Sequence, residues 1–214
     1  MTTSKQTQQL IIFGATGTLG RHLVQQALEQ GHQVSAFSRN PQKLAITHPR
    51  LRLIQGDVLD PAAVKNALEG HDTVICALGA GRKGQVRATG TLHILQGMEA
   101  LGIERFICQT TLGAGDSVDS LNFFWKRIMF GWFLKQAYED HQLQEQYIRE
   151  SKVAWTIVRP AAFTDGEKTG RYQSGHFTSP KNLKLKISRA DVADFMLRLL
   201  GKPASVRDTI GLSY

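Results

Sequence analysis

Cysteine is scarce in this chain: Cys76 and Cys108 are the only two among 214 residues, too few for a disulfide scaffold. Each lies inside an apolar, strand-like run, so they read as reduced core thiols, and no metal site is expected. Long hydrophobic runs are missing too. No uncharged apolar stretch reaches the about eighteen residues that a membrane-spanning helix needs, and the opening Met-Thr-Thr-Ser-Lys-Gln-Thr-Gln-Gln lacks the apolar core of a signal peptide. The expectation is a soluble, cytoplasmic protein with no integral membrane segment. Acidic residues are the minority charge, 18 against 26 Lys and Arg for a formal net charge of +8. The basic residues are scattered, with no long basic run, which argues against nucleic acid as partner. The surplus suits electrostatic steering of an anionic cofactor and a small anionic substrate. There is no internal repeat and no low-complexity linker. At this length the default is one α/β domain spanning residues 1–214, expected to act as a monomer.

What is present begins at Leu10-Ile-Ile-Phe-Gly-Ala-Thr-Gly-Thr-Leu-Gly20, an apolar strand running into glycines spaced G-x-x-G-x-x-G. Gly14 permits a sharp turn, Gly17 lets the backbone approach a pyrophosphate, and Gly20 lets the following helix pack closely on the strand. Thr16, Thr18 and Leu19 complete the turn, and a helix starting near Thr18 directs its free N–H groups at the phosphates. The apolar positions Leu19, Leu23, Val24, Ala27 and Leu28, ending at Gly31, supply the helical context that the motif requires. The segment reads as a dinucleotide-binding turn.

Short apolar or β-branched runs alternate with amphipathic ones: Leu10–Phe13, Gln33–Phe37, Leu51–Gln55, Thr73–Ala77, Arg105–Gln109 and Trp155–Val158. Helix starts are marked at Asn40-Pro41, Asp60-Pro61 and Ser188-Arg-Ala-Asp191, and helix ends at Gly31, Gly70 and Gly102. This rhythm predicts a single Rossmann-like, doubly wound parallel sheet with helices on both faces, its ligand at the carboxyl ends of the strands. Residues 113–137, which hold most of the aromatic density, break the rhythm. They read as a candidate lid or substrate segment, with a core-packed helix as the alternative. The residues after Leu200 read as an irregular tail, 201–214.

The second strand ends Ala36-Phe37-Ser38-Arg39-Asn40. An acidic residue at that place would bind the ribose hydroxyls of NAD, whereas an arginine suits the 2′-phosphate of NADP. Arg39 therefore favours NADP(H), with Lys43 one turn on as a second contact; the alternative is a solvated surface arginine. In Gly56-Asp57-Val58-Leu59-Asp60, Asp57 is placed to accept from the adenine amino group, while Asp60 is a helix cap. The small residues of Ala77-Leu78-Gly79 let the backbone lie along the cofactor, and Arg82 is a candidate for a phosphate or an anionic substrate.

Taken together, Gly14-Ala-Thr-Gly-Thr-Leu-Gly20, Gly56-Asp57-Val58, Cys108-Gln-Thr-Thr111 and Val158-Arg159-Pro160 resemble the atypical short-chain dehydrogenase/reductase superfamily, which includes NmrA-like proteins, over nearly the whole chain. Asp140-His141 ahead of Arg149-Glu150-Ser151, the short length and the Ser188–Arg198 run are most similar to its biliverdin-IXβ reductase, or NADPH flavin reductase, branch. The resemblance implies hydride transfer from NADPH to a planar conjugated acceptor, a flavin such as FMN or a linear tetrapyrrole such as biliverdin. It implies catalytic places for Thr111 and His141, and cofactor contacts from Thr110 and from Pro160, Ala161, Ala162 and Phe163. Thr111 as a plain strand-end residue and His141 as a solvent-facing helix residue remain open alternatives. The chain departs from the branch at Ala162, where a histidine is usual.

The Tyr-x-x-x-Lys pair of short-chain dehydrogenases is absent. Tyr147 is followed four places on by Ser151, and Lys152 is rotated by roughly 100° further around the helix. An acceptor needing little acid help from the protein is implied, because a flavin or tetrapyrrole spreads the incoming charge over its conjugated system. A dinucleotide-sensing regulator resembling NmrA, or an assembly factor that borrows the fold, is the alternative.

Overall fold

The computed structural model describes residues 7–79, 86–114, 135–177, 183–201 and 205–214. Arg82 and nearly all of the aromatic segment 113–137 lie outside the described residues. Ten strands are present among the described residues: β1 (Gln9–Phe13), β2 (Gln33–Ser38), β3 (Leu51–Gln55), β4 (Thr73–Cys76), β5 (Arg105–Gln109), β6 (Ala154–Pro160), β7 (Ala162–Thr164), β8 (Gln173–Gly175), β9 (Lys186–Ser188) and β10 (Asp208–Ser213). The α-helices are α1 (Thr18–Glu29), α2 (Pro61–Leu68), α3 (Val86–Leu101), α4 (Lys135–Glu150) and α5 (Arg189–Arg198).

Eight strands form one sheet in the order β3-β2-β1-β4-β5-β6-β10-β8, parallel except for β8, and β7 and β9 pair separately. The fold is the doubly wound Rossmann-like arrangement predicted from the alternation. Strand order reverses between β1, which pairs with both β2 and β4, and its neighbours. A crevice opens at that point, above the carboxyl ends of the strands.

Two apolar layers hold the helices to the sheet. On one face Leu19, Leu23, Val24, Ala27 and Leu28 of α1 pack with Val192, Ala193 and Met196 of α5 against Leu10, Ile12 and Ile107. On the other, α2, α3 and α4 cover Ile11, Phe13, Val74 and Phe106 with Val64, Leu68, Ile94, Met98 and Ile148. The expected helix signals act locally. Asp60 accepts from the amides of Ala62 and Ala63, Ser188 from that of Asp191, and Gly31, Gly70 and Gly102 take positive φ. Asn40-Pro41 opens only a single 3-10 turn, Pro41–Leu44, whose Asn40 makes no capping bond.

One expectation is corrected. The tail after Leu200 is not irregular, because Asp208–Ser213 forms β10, which inserts beside β6 in parallel register from Asp208↔Thr156 to Leu212↔Pro160. Its Ile210 and Leu212 join the core layer, and Arg207, at φ 57, turns the chain into it. The sequence Asp-Thr-Ile-Gly-Leu-Ser carries only two large apolar residues, so its strand character comes from pairing more than from composition.

Candidate active site

The glycine turn forms the floor of a cleft of about 780 Å³ at the switch point. Gly14 has φ +80, and a Cβ there would sit 2.4 Å from the carbonyl oxygen of Ala77; one on Gly20 would sit 2.2 Å from that of Gly14. Side chains are therefore barred from these two positions, and α1 starts hard against the turn with Gly17 as its N-cap. Thr16, Gly17, Thr18 and Leu19 line the cleft, with the first-turn amides of α1 available to an anion.

Toward β2 and β3 the cleft is walled by Phe37, Ser38, Arg39, Asn40 and Lys43, then by Gly56, Asp57, Val58 and Leu59. Arg39 and Lys43 are exposed, free to meet a phosphate. Arg21 ties this wall to the turn: its guanidinium donates to the carbonyl oxygens of Thr16 (3.3 Å), Leu44 (3.2 Å) and Lys43. Asp57 uses one carboxylate oxygen to accept from the Leu59 amide at 3.0 Å. Its other oxygen has no partner among the described residues.

Toward β4, β5 and β6 lie Ala77, Leu78, Gly79, Val86 and Arg87, then Gln109, Thr110, Thr111 and His141, then Pro160, Ala161, Ala162 and Phe163. Every described residue placed at the site from the sequence except Gly20, which packs against the Gly14 carbonyl, thus lines one cleft. Three buried links hold this end. Thr110 Oγ1 donates to Glu145 Oε1 at 2.8 Å, and Arg159 grips the same carboxylate through Nε (2.9 Å) and Nη2 (2.6 Å). Glu145 and Arg159 are almost fully buried, and the forked pair locks α4 to the ends of β5 and β6. Asp140 accepts from the amides of Arg87 and Ala88 at the start of α3 and from Arg87 Nη1 at 3.3 Å.

The third link fixes His141. Gln144 gives its amide hydrogens to Thr91 Oγ1 (3.0 Å) and Cys108 Sγ (3.3 Å), which turns its carbonyl oxygen to His141 Nδ1 at 3.1 Å. Nδ1 is then the donor, and Nε2 carries the free lone pair. Burial lowers the His141 pKa to about 4, and the Arg87 charge adds to the effect against the weaker pull of Gln144, Asp140 and Glu145. The ring is neutral near pH 7. It is buried, so the solvent-facing alternative is excluded. Thr111 is part-buried, its hydroxyl directed at the Leu112 carbonyl at a long 3.4 Å.

Tyr147 packs into the core on the α2–α4 face, and the Lys152 amide is tied to Glu99. Neither lines the cleft, and among the described lining residues there is no tyrosine and no lysine but Lys43. Cys76 and Cys108 face each other in register across β4 and β5, both free and fully buried. Burial pushes the Cys108 thiol up. Arg87, Gln109, Arg21 and the partnership of Glu145 with Arg159 are what the sequence reading missed. Arg159, set in the apolar run Trp155-Thr-Ile-Val-Arg-Pro-Ala161, was the available signal for that pair.

The profile of a family described as NAD(P)H-binding matches residues 14–203. The UPF0659 protein YMR090W of Saccharomyces cerevisiae is 27% identical, over 95% of this chain and 92% of its own. The photosystem II assembly factor Ycf39 of Synechocystis is 26% identical over 94% of this chain, which spans only 61% of that protein's length. Among solved structures, ChuY, an anaerobilin reductase from Escherichia coli O157:H7, superposes with a TM-score of 0.78 at 25% identity, covering 95% of this chain and 96% of that one. Among the described residues, no helix is long and apolar enough to cross a membrane.

Proposed function

The chain belongs to the NAD(P)H-binding family, and from that premise we propose that it is an NADPH-dependent reductase transferring hydride to a planar conjugated acceptor, FMN or a linear tetrapyrrole. The observation that carries the reading is the β4–β6 end of the cleft. It combines room beyond the glycine turn with a fixed, uncharged His141 and no tyrosine–lysine pair among the described residues. The likeness to an anaerobilin reductase supports an extended conjugated acceptor over a simple ketone.

The residues fit a dinucleotide. Cβ atoms are barred from Gly14 and Gly20, so the turn backbone is free to lie against the pyrophosphate. Arg39 and Lys43 would hold the 2′-phosphate and Asp57 the adenine amino group. Bound there, the cofactor supplies a hydride from nicotinamide C4. His141 Nε2, with its free lone pair, would accept a hydrogen bond from a hydroxyl or N–H of the bound molecule, and Thr111 would offer a hydroxyl from the same wall. A neutral imidazole whose one proton is committed to Gln144 is a poor acid, so the proton that completes reduction comes from water. Positioning supplies most of the rate.

The test is NADPH oxidation, followed at the nicotinamide absorbance band, with FMN and with biliverdin. Turnover with either supports the reading; none with both, at saturating NADPH, rejects it. The similarity to Ycf39 favours a second reading, an assembly or sensing role in which the dinucleotide binds without turnover.

A further inference from the structure

Resting on the reductase reading, we propose that Arg87 selects among planar acceptors by pairing with an anionic oxygen group, a carboxylate or phosphate, carried on the acceptor's periphery. Arg87 sits in the first turn of α3 with its side chain 11% exposed, whereas the Asp140 side chain behind it is 1% exposed. The pair is a fixed dipole whose positive end faces the cleft. Asp140 also spends its oxygens on the Arg87 and Ala88 amides, at 3.2 and 3.0 Å, and holds only Nη1 of the guanidinium. Nε and Nη2 have no partner among the described residues. The side chain lines the cleft. An arginine held by one nitrogen keeps the rest of its fork for a carboxylate or phosphate.

The charge pattern of the cleft gives the site its selectivity. Arg39 and Lys43 lie at the β2–β3 end, and the only carboxylate among the described lining residues, Asp57, lies there too. At the β4–β6 end Arg87 is the sole charged lining residue among those described, on the same wall as Thr110, Thr111 and His141. The pyrophosphate has its own donors at the start of α1.

FMN and riboflavin share one ring system and differ by a phosphate, which isolates the effect. The unaltered protein should show a KM about tenfold lower for FMN than for riboflavin. In Arg87→Met the riboflavin-to-FMN ratio should collapse toward one, with Arg87→Lys between. Because Arg87→Met leaves a buried carboxylate unpaired, the same ratio is read in Arg87→Met/Asp140→Asn, which removes both charges. Flavin-fluorescence titration of the NADP-loaded protein gives the ratio without turnover. A ratio unchanged by Arg87→Met overturns the proposal, as does a loss confined to NADPH affinity. Arg87-dependent FMN binding without hydride transfer would keep the proposal and reject the reductase reading; turnover with no FMN preference would do the reverse.

Discussion

The two ends of the cleft are built differently. At the β1–β3 end the ligand would meet backbone and exposed side chains from short contiguous segments, Gly14–Gly20, Ser38–Lys43 and Gly56–Leu59. At the β4–β6 end each contact is set by a buried partner far away in the chain: Arg87 by Asp140, Thr110 by Glu145, Glu145 by Arg159, His141 through Gln144 by Thr91. One end is built mostly from backbone, because amides and glycines suffice for a phosphate chain. The other must aim particular groups at a reacting ring, and aim requires rigid support.

The sharpest way to break this contrast is at the glycine turn. Gly20→Val places side-chain atoms against backbone that cannot yield, and the expected cost exceeds about 4 kcal/mol. Circular dichroism of the purified protein should show no cooperative unfolding transition. At the opposite end, Glu145→Ala removes the buried carboxylate that accepts from Arg159 and Thr110, with an expected loss of about 3–5 kcal/mol. A urea midpoint unchanged within error would mean that the network is ornamental.

His141 sharpens the comparison through pH. Its native pKa of about 4 lies below the ordinary 6.5, so between those values the unfolded chain takes up a proton that the native ring refuses. Stability due to this group is complete above about pH 6.5 and falls on acidification toward pH 4, by on the order of 3 kcal/mol. His141→Gln should flatten that part of the stability profile; an identical slope in both proteins contradicts the buried neutral ring. The smallest effect belongs to the exposed phosphate end. Arg39→Ala should weaken NADPH binding about tenfold or somewhat more while leaving NADH nearly unchanged. Equal weakening of both by isothermal titration would remove Arg39 from the 2′-phosphate.

The same contrast explains what could be read from the sequence. Contiguous motifs with fixed spacing exposed the turn, Arg39, Lys43 and Asp57, and six strand runs emerged from local apolarity. β10 did not, since Asp208-Thr-Ile-Gly-Leu-Ser is a strand only because β6 and β8 flank it. Nothing in the sequence around Arg87 distinguishes it from any helix-start cation, because Asp140 lies 53 residues on. Glu145 is spaced as an i, i+4 partner of Arg149, a contact it also makes at 3.7 Å, and its spacing does not point to Arg159. Thr111 and His141 came from family resemblance; the structure adds a reason for the second, a tautomer set by Gln144.

Hydride transfer at the β4–β6 end without a protein acid can be followed by single-turnover oxidation of bound NADPH by FMN from about pH 6.5 to about 8.5. The expected result is rapid, enzyme-dependent oxidation at a rate flat across that range, with His141 neutral throughout. Absence of oxidation, or a rate that follows one ionising group of the protein across the range, would contradict it.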